Sequence, residues 1–509
     1  MSALRVGVVL EAPRLAAWAA AVLRAIAEHR DLTLALVILA PAPRAVRPRL
    51  FAVYERLDRL LFRREPDASH VVDCSSLLAD VPRESAADVV VRLGGGPPPD
   101  DLPAAVPHGV WSLRWGRGGE AAPLVWEVLA GAPVAECVLE ARTAAGVVEL
   151  SRSTFRTDPI SLERNRNVAY WRGARLLQRG IEDLAAGRRR PSAAGGPSVP
   201  RADVTVSDAD AVRQAAAVTA RVVRRKLHDT ARQHQWFLGV RRRTGDRLPH
   251  EDAAPWRPLV PPPDRSYADP FVLRHGAETF VFLEELPHRT LRGRLAVGRL
   301  ADGELEGVAP ILPCDHHTSY PYVFRHEGSL YLIPESGAAR RVTLYAAAQP
   351  PAGWEPVGVL LEDVDAVDAT VLAHDGMLWM WLTVEGETFL YLSDRLEAGW
   401  TPHPCNPVVS DARTARSAGR PFLHGGRLIR PAQNCAERYG GRVVFNEVVE
   451  LTPDAYRERP GGSLGPEWAG RGNLAAHTYT FDGEWEATDG LRTFSRLSGA
   501  RRRTATTPG

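Results

Sequence analysis

Along the second half of the chain, short apolar runs alternate with polar turns, and the runs recur in the same phase about every fifty residues. Each unit has a polar or small inner position, an apolar pair, a short Gly turn and then an aromatic-rich stretch. The first is Ala268-Asp269-Pro270-Phe271-Val272, with His275-Gly276 and Phe280-Val281-Phe282. The second is Tyr320-Pro321-Tyr322-Val323-Phe324, with Glu327-Gly328 and Leu330-Tyr331-Leu332. The third is Asp368-Ala369-Thr370-Val371-Leu372, with Asp375-Gly376 and Leu378-Trp379-Met380-Trp381. The fourth is Arg420-Pro421-Phe422-Leu423, with Gly425-Gly426 and Leu428-Ile429; a weaker fifth is His477-Thr478-Tyr479 with Asp482-Gly483. The anchors Asp269, Tyr320, Asp368, Arg420 and His477 lie 51, 48, 52 and 57 residues apart. Runs of this kind, bounded by Gly turns, read as paired strands. Several short strands in a unit of roughly fifty residues is the spacing of a propeller blade. Five copies predict a five-bladed β-propeller. The first strand of each blade lines the central channel, so the five anchors are expected around one axis.

The first half follows a different rhythm. Leu4 to Leu10 and Leu32 to Leu39 are continuous apolar runs of strand length, and residues 88–93 form a third, ending in Gly94-Gly95-Gly96. The Ala-rich stretch 14–28 carries apolar residues at helical spacing. Strands alternating with helices predict a mostly parallel open sheet. The fold class is therefore α/β plus all-β: an α/β domain over 1–187, a linker over 188–206, a connecting helix over 207–233, the propeller over 234–495 and a disordered tail over 496–509. The linker assignment rests on its Arg, Pro, Ser and Gly content. The helix assignment rests on Ser207, Asp208 and Asp210 at its start.

Composition narrows the chemistry. The 509 residues have a formal net charge of +2, with 24% charged side chains, so no strong field points to nucleic acid. The five cysteines are scattered without C-x-x-C spacing, which suggests neither a zinc site nor a disulfide framework. His316 and His317 are adjacent and would face opposite sides of a strand, so with His477 they make no metal site. No cofactor, no metal and no membrane span are expected, and a cytoplasmic location is. Lys226 is the only lysine among 63 basic residues, a bias of composition rather than of function.

The stretch His108-Gly109-Val110-Trp111-Ser112-Leu113-Arg114 and the following Ala122 to Gly131 resemble the formyltransferase fold of methionyl-tRNA and sugar N-formyltransferases. Arg164-Asn165-Arg166-Asn167 with Tyr170-Trp171 is similar to that fold's closing helix. The resemblance covers about a third of the chain and implies an open sheet in the N-terminal part. It also implies an Asn, a His and an Asp for formyl transfer. Ser112 and Arg114 stand at the matching positions, and Ala144-Ala145-Gly146 replaces the Asp-x-Gly. Arginine does not act as a base at neutral pH, so the domain is expected to be a degenerate scaffold.

The propeller stretch resembles the N-terminal domain of glucosamine inositolphosphorylceramide transferases and, more distantly, family 43 glycoside hydrolases. The first resemblance rests on His317-Thr318-Ser319-Tyr320-Pro321, Ile333-Pro334-Glu335-Ser336, Leu344-Tyr345-Ala346, Trp400 to Val408, Ala418-Gly419-Arg420-Pro421 and Arg430 to Cys435 with Tyr439-Gly440. The glycoside hydrolases, by this resemblance, imply Asp269 as general base and Asp368 at the proton donor's place. Tyr320 replaces the acid that tunes the donor. Glu335, and Glu284 with Glu285 in the equivalent place of the first blade, add carboxyls near the mouth. Inverting hydrolysis needs one protonated and one ionised carboxyl about 6.5–9.5 Å apart. Asp269, Glu335 and Asp368 are the candidate catalytic set. Tyr320, His317, Arg420, Arg430, Gln433 and His477 are candidates for holding the substrate, the arginines for an anionic group on it.

Two readings follow. One is a carbohydrate-active protein acting on a glycosidic or sugar-phosphate linkage at the propeller centre, in glycan or glycolipid assembly. The other is a non-catalytic carbohydrate-binding or assembly protein; a third, weaker one is a sugar N-formyltransferase. The expected partner is a carbohydrate or sugar-phosphate ligand. Buried acids at strand starts can equally cap backbone amides or pair with an arginine, so the site's hydrogen bonds must decide.

Overall fold

A computed structural model describes residues 3–41, 47–82, 85–118, 122–188 and 206–495. The chain divides into two compact units, Met1–Arg224 and Arg225–Gly509. Most of the expected linker, and all of the expected tail, lie outside the described residues.

The first unit is built on a six-stranded mixed sheet. Leu4–Leu10 lies between Leu32–Leu39 and Val89–Arg92, all parallel, and Val110–Trp115 extends the parallel set. Val134–Thr143 and Gly146–Arg156 then add an antiparallel hairpin. The three strands read from apolar runs are present, because runs such as Val6, Val8, Val9 and Leu10 are buried on both faces. The helical stretch begins later than its pattern suggested: Arg14–Ala16 is a short strand and the helix runs Ala17–Glu28. Asp208–Ala231 forms the long polar helix, with Asp208 and Asp210 in its first turn.

The second unit is a five-bladed β-propeller. The first blade holds Arg265–His275, Glu278–Pro287, Arg294–Ala301 and Glu304–Pro310 as consecutive antiparallel strands. The second holds Ser319–His326, Ser329–Glu335, Arg341–Gln349 and Ala352–Glu362, and the third Val367–His374, Met377–Val384, Glu387–Ser393 and Thr401–Pro402. In the fourth blade the inner strand is split into Arg416–Ser417 and Phe422–His424, both pairing Arg427–Asn434. Gly419, at φ 133°, lies in the break. The fifth blade joins both ends of the unit. Arg232–Arg242 pairs antiparallel along the whole of Trp485–Ser495, which in turn pairs Tyr479–Asp482. That shared blade explains why the fifth sequence repeat is weak: half of its strands come from before the first repeat. It also removes two free sheet edges.

Three of the repeat anchors share a backbone feature. Asp269, Tyr320 and Asp368 have φ of 51°, 45° and 54°. Each lies at a bulge where two residues of the inner strand face one of the second strand. Non-glycine residues rarely adopt this conformation, and it persists only where the surroundings enforce it. Pro270 and Pro321 fit directly behind, since a bulged position owes no amide to the ladder.

Candidate functional site

Each bulge turns its anchor toward the propeller axis, and the ladder fixes what stands opposite. Ala268 pairs with Glu284, Ser319 with Glu335 and Val367 with Thr383. In the fourth blade Gln433 pairs with Arg416. Asp489 on the second strand of the fifth blade follows Thr488, which pairs with Tyr479. The residues Glu284, Glu335, Thr383, Gln433 and Asp489 are spaced 51, 48, 50 and 56 residues apart, the repeat's own period. They form a second polar ring behind the anchors.

Hydrogen bonds tie the rings together across blades. The buried Asp269 carboxylate accepts from the Tyr320 amide at 3.2 Å and from the Thr478 hydroxyl at 2.8 Å. The Asp489 carboxylate accepts from the amides of Asp269, His477 and Thr478 at 3.1, 2.8 and 3.1 Å. It also takes the His477 Nδ1 at 2.5 Å. Tyr320, fully buried, accepts from the Gly419 amide at 2.8 Å through its hydroxyl, so its ring reaches from the second blade to the fourth. Asp368 accepts from Arg416 Nε at 2.5 Å and from Gln433 Nε2 at 3.4 Å. Arg416 also approaches Glu335 at 3.5 Å and lies over the Tyr439 ring at 4.9 Å. Trp236 stacks on His477 with centroids 4.1 Å apart.

The charge balance is uneven. Among the described residues, Asp269, Glu284, Glu335, Asp368 and Asp489 meet only Arg416 and the buried His477, with His317 at the rim 3.4 Å from Glu284. Burial disfavours charge. It pushes Glu335 up to about 9, with nearby Asp368 adding to the rise and Arg416 opposing it. Glu284 is pushed up to about 8 by burial and then by Asp269, against His477. Burial also raises Asp269 to about 6, again opposed by His477. Burial acts to lower His477, but Asp489 and Asp269 outweigh it and raise the ring to about 9. The site therefore holds protonated carboxyls beside an imidazolium at neutral pH.

The substrate arginines expected from the sequence are placed elsewhere. Arg430 is 1% exposed and forks onto Glu458 with two bonds of 2.7 Å, its remaining reach going to the Thr414 carbonyl. Arg420 donates to the Val323 carbonyl at 2.6 Å. Both hold blades together rather than offering a free cation to a ligand. Gln433 braces Asp368 and the Ser417 carbonyl. His317 accepts from the Gly293 amide at 2.9 Å, and a Cβ at Gly293 would collide with Glu284 and His317. Glu285 turns away from its neighbour Glu284 to pair with Arg265 and Arg294.

Arg416, Asp489, Tyr439, Thr478 and Trp236 were not among the sequence candidates. Asp489 and Thr383 had a readable signal, the fixed offset after each anchor that also yields Glu284 and Glu335. Arg416 had none, because the split inner strand shifts the fourth blade's phase. Asp269, His477 and Asp489 offer three ligand atoms within 4.8 Å of one another, which could hold a metal ion. The hydrogen bonds just described already satisfy that trio. In the first unit, Arg114 is likewise bound, to Glu140, Glu136 and the Gly116 carbonyl.

With this geometry in place, the chain can be set beside known proteins. Residues 261–464 match the family model for glucosamine inositolphosphorylceramide transferase 1, N-terminal. The curated protein of that name from Oryza sativa subsp. japonica is 31% identical over 227 residues, 42% of this chain and 30% of the relative. The Arabidopsis thaliana protein is 30% identical over 208 residues, 38% of this chain and 27% of the relative. The chain thus spans about a third or less of the length of these relatives. Among solved structures, an exo-β-1,3-galactanase from Phanerochaete chrysosporium aligns at TM-score 0.34 and 10% identity, over 40% of this chain and 54% of its own. A thermostable family-43 glycoside hydrolase aligns at TM-score 0.32 and 10% identity, over 39% and 75%.

Proposed function

We propose that the mouth of the propeller binds a carbohydrate and acts on a glycosidic or sugar-phosphate linkage by acid–base chemistry. The observation that carries this reading is the meeting of five carboxyl groups with only one arginine and one buried histidine. Such a surplus forces some carboxyls to keep their protons, and pairs of acids pushed apart in this way can divide the roles of donor and base. Glu335 is the proton donor: it is near the opening, beside the Asp368–Arg416 pair, and held protonated. Asp269 is the base, fixed by Tyr320, Thr478 and the Asp489–His477 pair. Asp368 holds Arg416 and sets the charge beside Glu335, rather than donating the proton itself. The relatives' name, a transferase acting on an inositolphosphorylceramide, supports a glycolipid or glycan context. The first unit serves this reading as a scaffold, since Arg114 is engaged by Glu136 and Glu140.

A non-catalytic binding role is favoured by one feature: both Asp269 oxygens already accept hydrogen bonds within the protein. Turnover of a panel of nitrophenyl glycosides and sugar phosphates separates the two. The acid–base reading expects turnover that Glu335→Gln lowers by roughly two to four powers of ten. Sugar binding at the mouth with no turnover of any panel member supports the binding role.

A further inference from the structure

The first unit carries a helix, Arg49–Phe62, whose outer face is unlike the rest of the surface. Leu50, Val53, Leu57, Leu60 and Leu61 are each more than half exposed. Their spacing of three, four, three and one residues places them on a single side of the helix, as one continuous aliphatic ridge. Exposed large apolar residues normally occur singly, and a contiguous ridge marks an interaction surface.

The ridge is held rigidly. Phe51 is buried in the core beneath it, and the Asp58 carboxylate accepts from the Glu163 amide at 2.7 Å and the Ser161 hydroxyl at 3.1 Å. Glu55 is engaged by Arg166 at 2.7 Å. Asp208 caps the helix through the Leu50 amide at 2.7 Å. Both acids of the helix therefore point into the body. Its arginines point out: Arg49 and Arg56, seven residues apart, line one edge of the ridge, and Arg63 and Arg64 follow at its end. Among the described residues, no carboxylate pairs with Arg49, Arg56 or Arg64.

We propose that this ridge docks the protein on an anionic lipid surface, lying in the plane of the interface. Leucine and valine enter the boundary between headgroups and acyl chains, and the arginines keep their guanidinium groups at the lipid phosphates. The charge pattern selects this occupant over a second copy of the chain. Two such faces brought together would oppose arginine to arginine with no exposed acid of the helix to relieve them.

Vesicle co-sedimentation of the full chain tests the proposal. The probes are phosphatidylcholine vesicles with and without about 30 mol % phosphatidylglycerol. The expected result is sedimentation with the anionic vesicles, loss of it at high salt, and a drop of roughly tenfold or more in Leu57→Glu/Leu60→Glu. A second variant, Arg49→Glu/Arg56→Glu, should lose binding while leaving the ridge intact. Absence of sedimentation with anionic vesicles, or sedimentation unchanged in both variants, overturns the proposal. So does a dimer in light scattering that Leu57→Glu/Leu60→Glu dissociates, which assigns the ridge to a second copy.

Discussion

His477 Nδ1 lies 2.5 Å from Asp489 Oδ2, and the same carboxylate receives the backbone amides of Asp269, His477 and Thr478. One acid of the fifth blade thus both charges the histidine and clamps the bulge that aims Asp269. Asp489→Asn removes the counter-charge of a buried ring, a loss of about 3–5 kcal/mol for a broken buried pair. The pair also has a pH signature. His477 is raised from the ordinary 6.5 to about 9, so its contribution is complete below the ordinary value and disappears as pH rises through 9. Urea midpoints measured across that range should fall in the wild type, with a smaller fall in Asp489→Asn.

Glu335 makes the opposite change informative. Its carboxyl keeps a proton that the unfolded chain releases near 4.5, so the wild type loses stability from it as pH rises toward 9. Glu335→Gln cannot lose that proton in either state. The variant should gain on the wild type steadily over this range, read as a difference in urea midpoints, with equal midpoints expected near pH 4.

Arg416 faces Asp368, Glu335 and the Tyr439 ring at once. Arg416→Ala leaves Asp368, 1% exposed, with only Gln433 as a donor from its side-chain partners. A cost of about 3–5 kcal/mol is expected. Arg416→Ala/Asp368→Ala removes both charges and should recover part of it, which a double-mutant cycle in thermal unfolding measures.

Tyr320 closes the axis by accepting the Gly419 amide. Tyr320→Phe keeps the ring and leaves that buried N–H without its partner, at about 1–3 kcal/mol. Hydrogen exchange at Gly419 should accelerate while the other blades keep their protection.

The blades were legible because each bulge imposes one phase on its neighbours. A polar anchor with left-handed backbone, a proline or alanine behind it and a Gly turn after it recur wherever a first strand folds the same way. The fourth blade escaped that reading at one point: its inner strand breaks at Gly419, so the residue at the channel is Arg416, four positions before the anchor Arg420. Arg420 and Arg430 looked like substrate cations because sequence spacing cannot say whether a carbonyl or carboxylate already occupies a guanidinium. Val323, Thr414 and Glu458, far off in the chain, decide that. The ring Glu284, Glu335, Thr383, Gln433 and Asp489 was written in the repeat, yet only the pairing opposite each bulge makes it visible. In the first unit the buried strands stood out as apolar runs. The ion pairs of Arg114 did not, since they join residues across three strands.

The account turns on a carboxyl that keeps its proton at neutral pH in the propeller mouth. Infrared difference spectra of the carboxylic-acid C=O stretch, recorded between neutral and alkaline pH, test it without a substrate. The wild type should show a protonated carboxyl at pH 7 that disappears as pH rises through about 9, and Glu335→Gln should lack that transition. A wild-type spectrum with every carboxyl already ionised at pH 7, or a transition unchanged in Glu335→Gln, would contradict the assignment of Glu335 as proton donor.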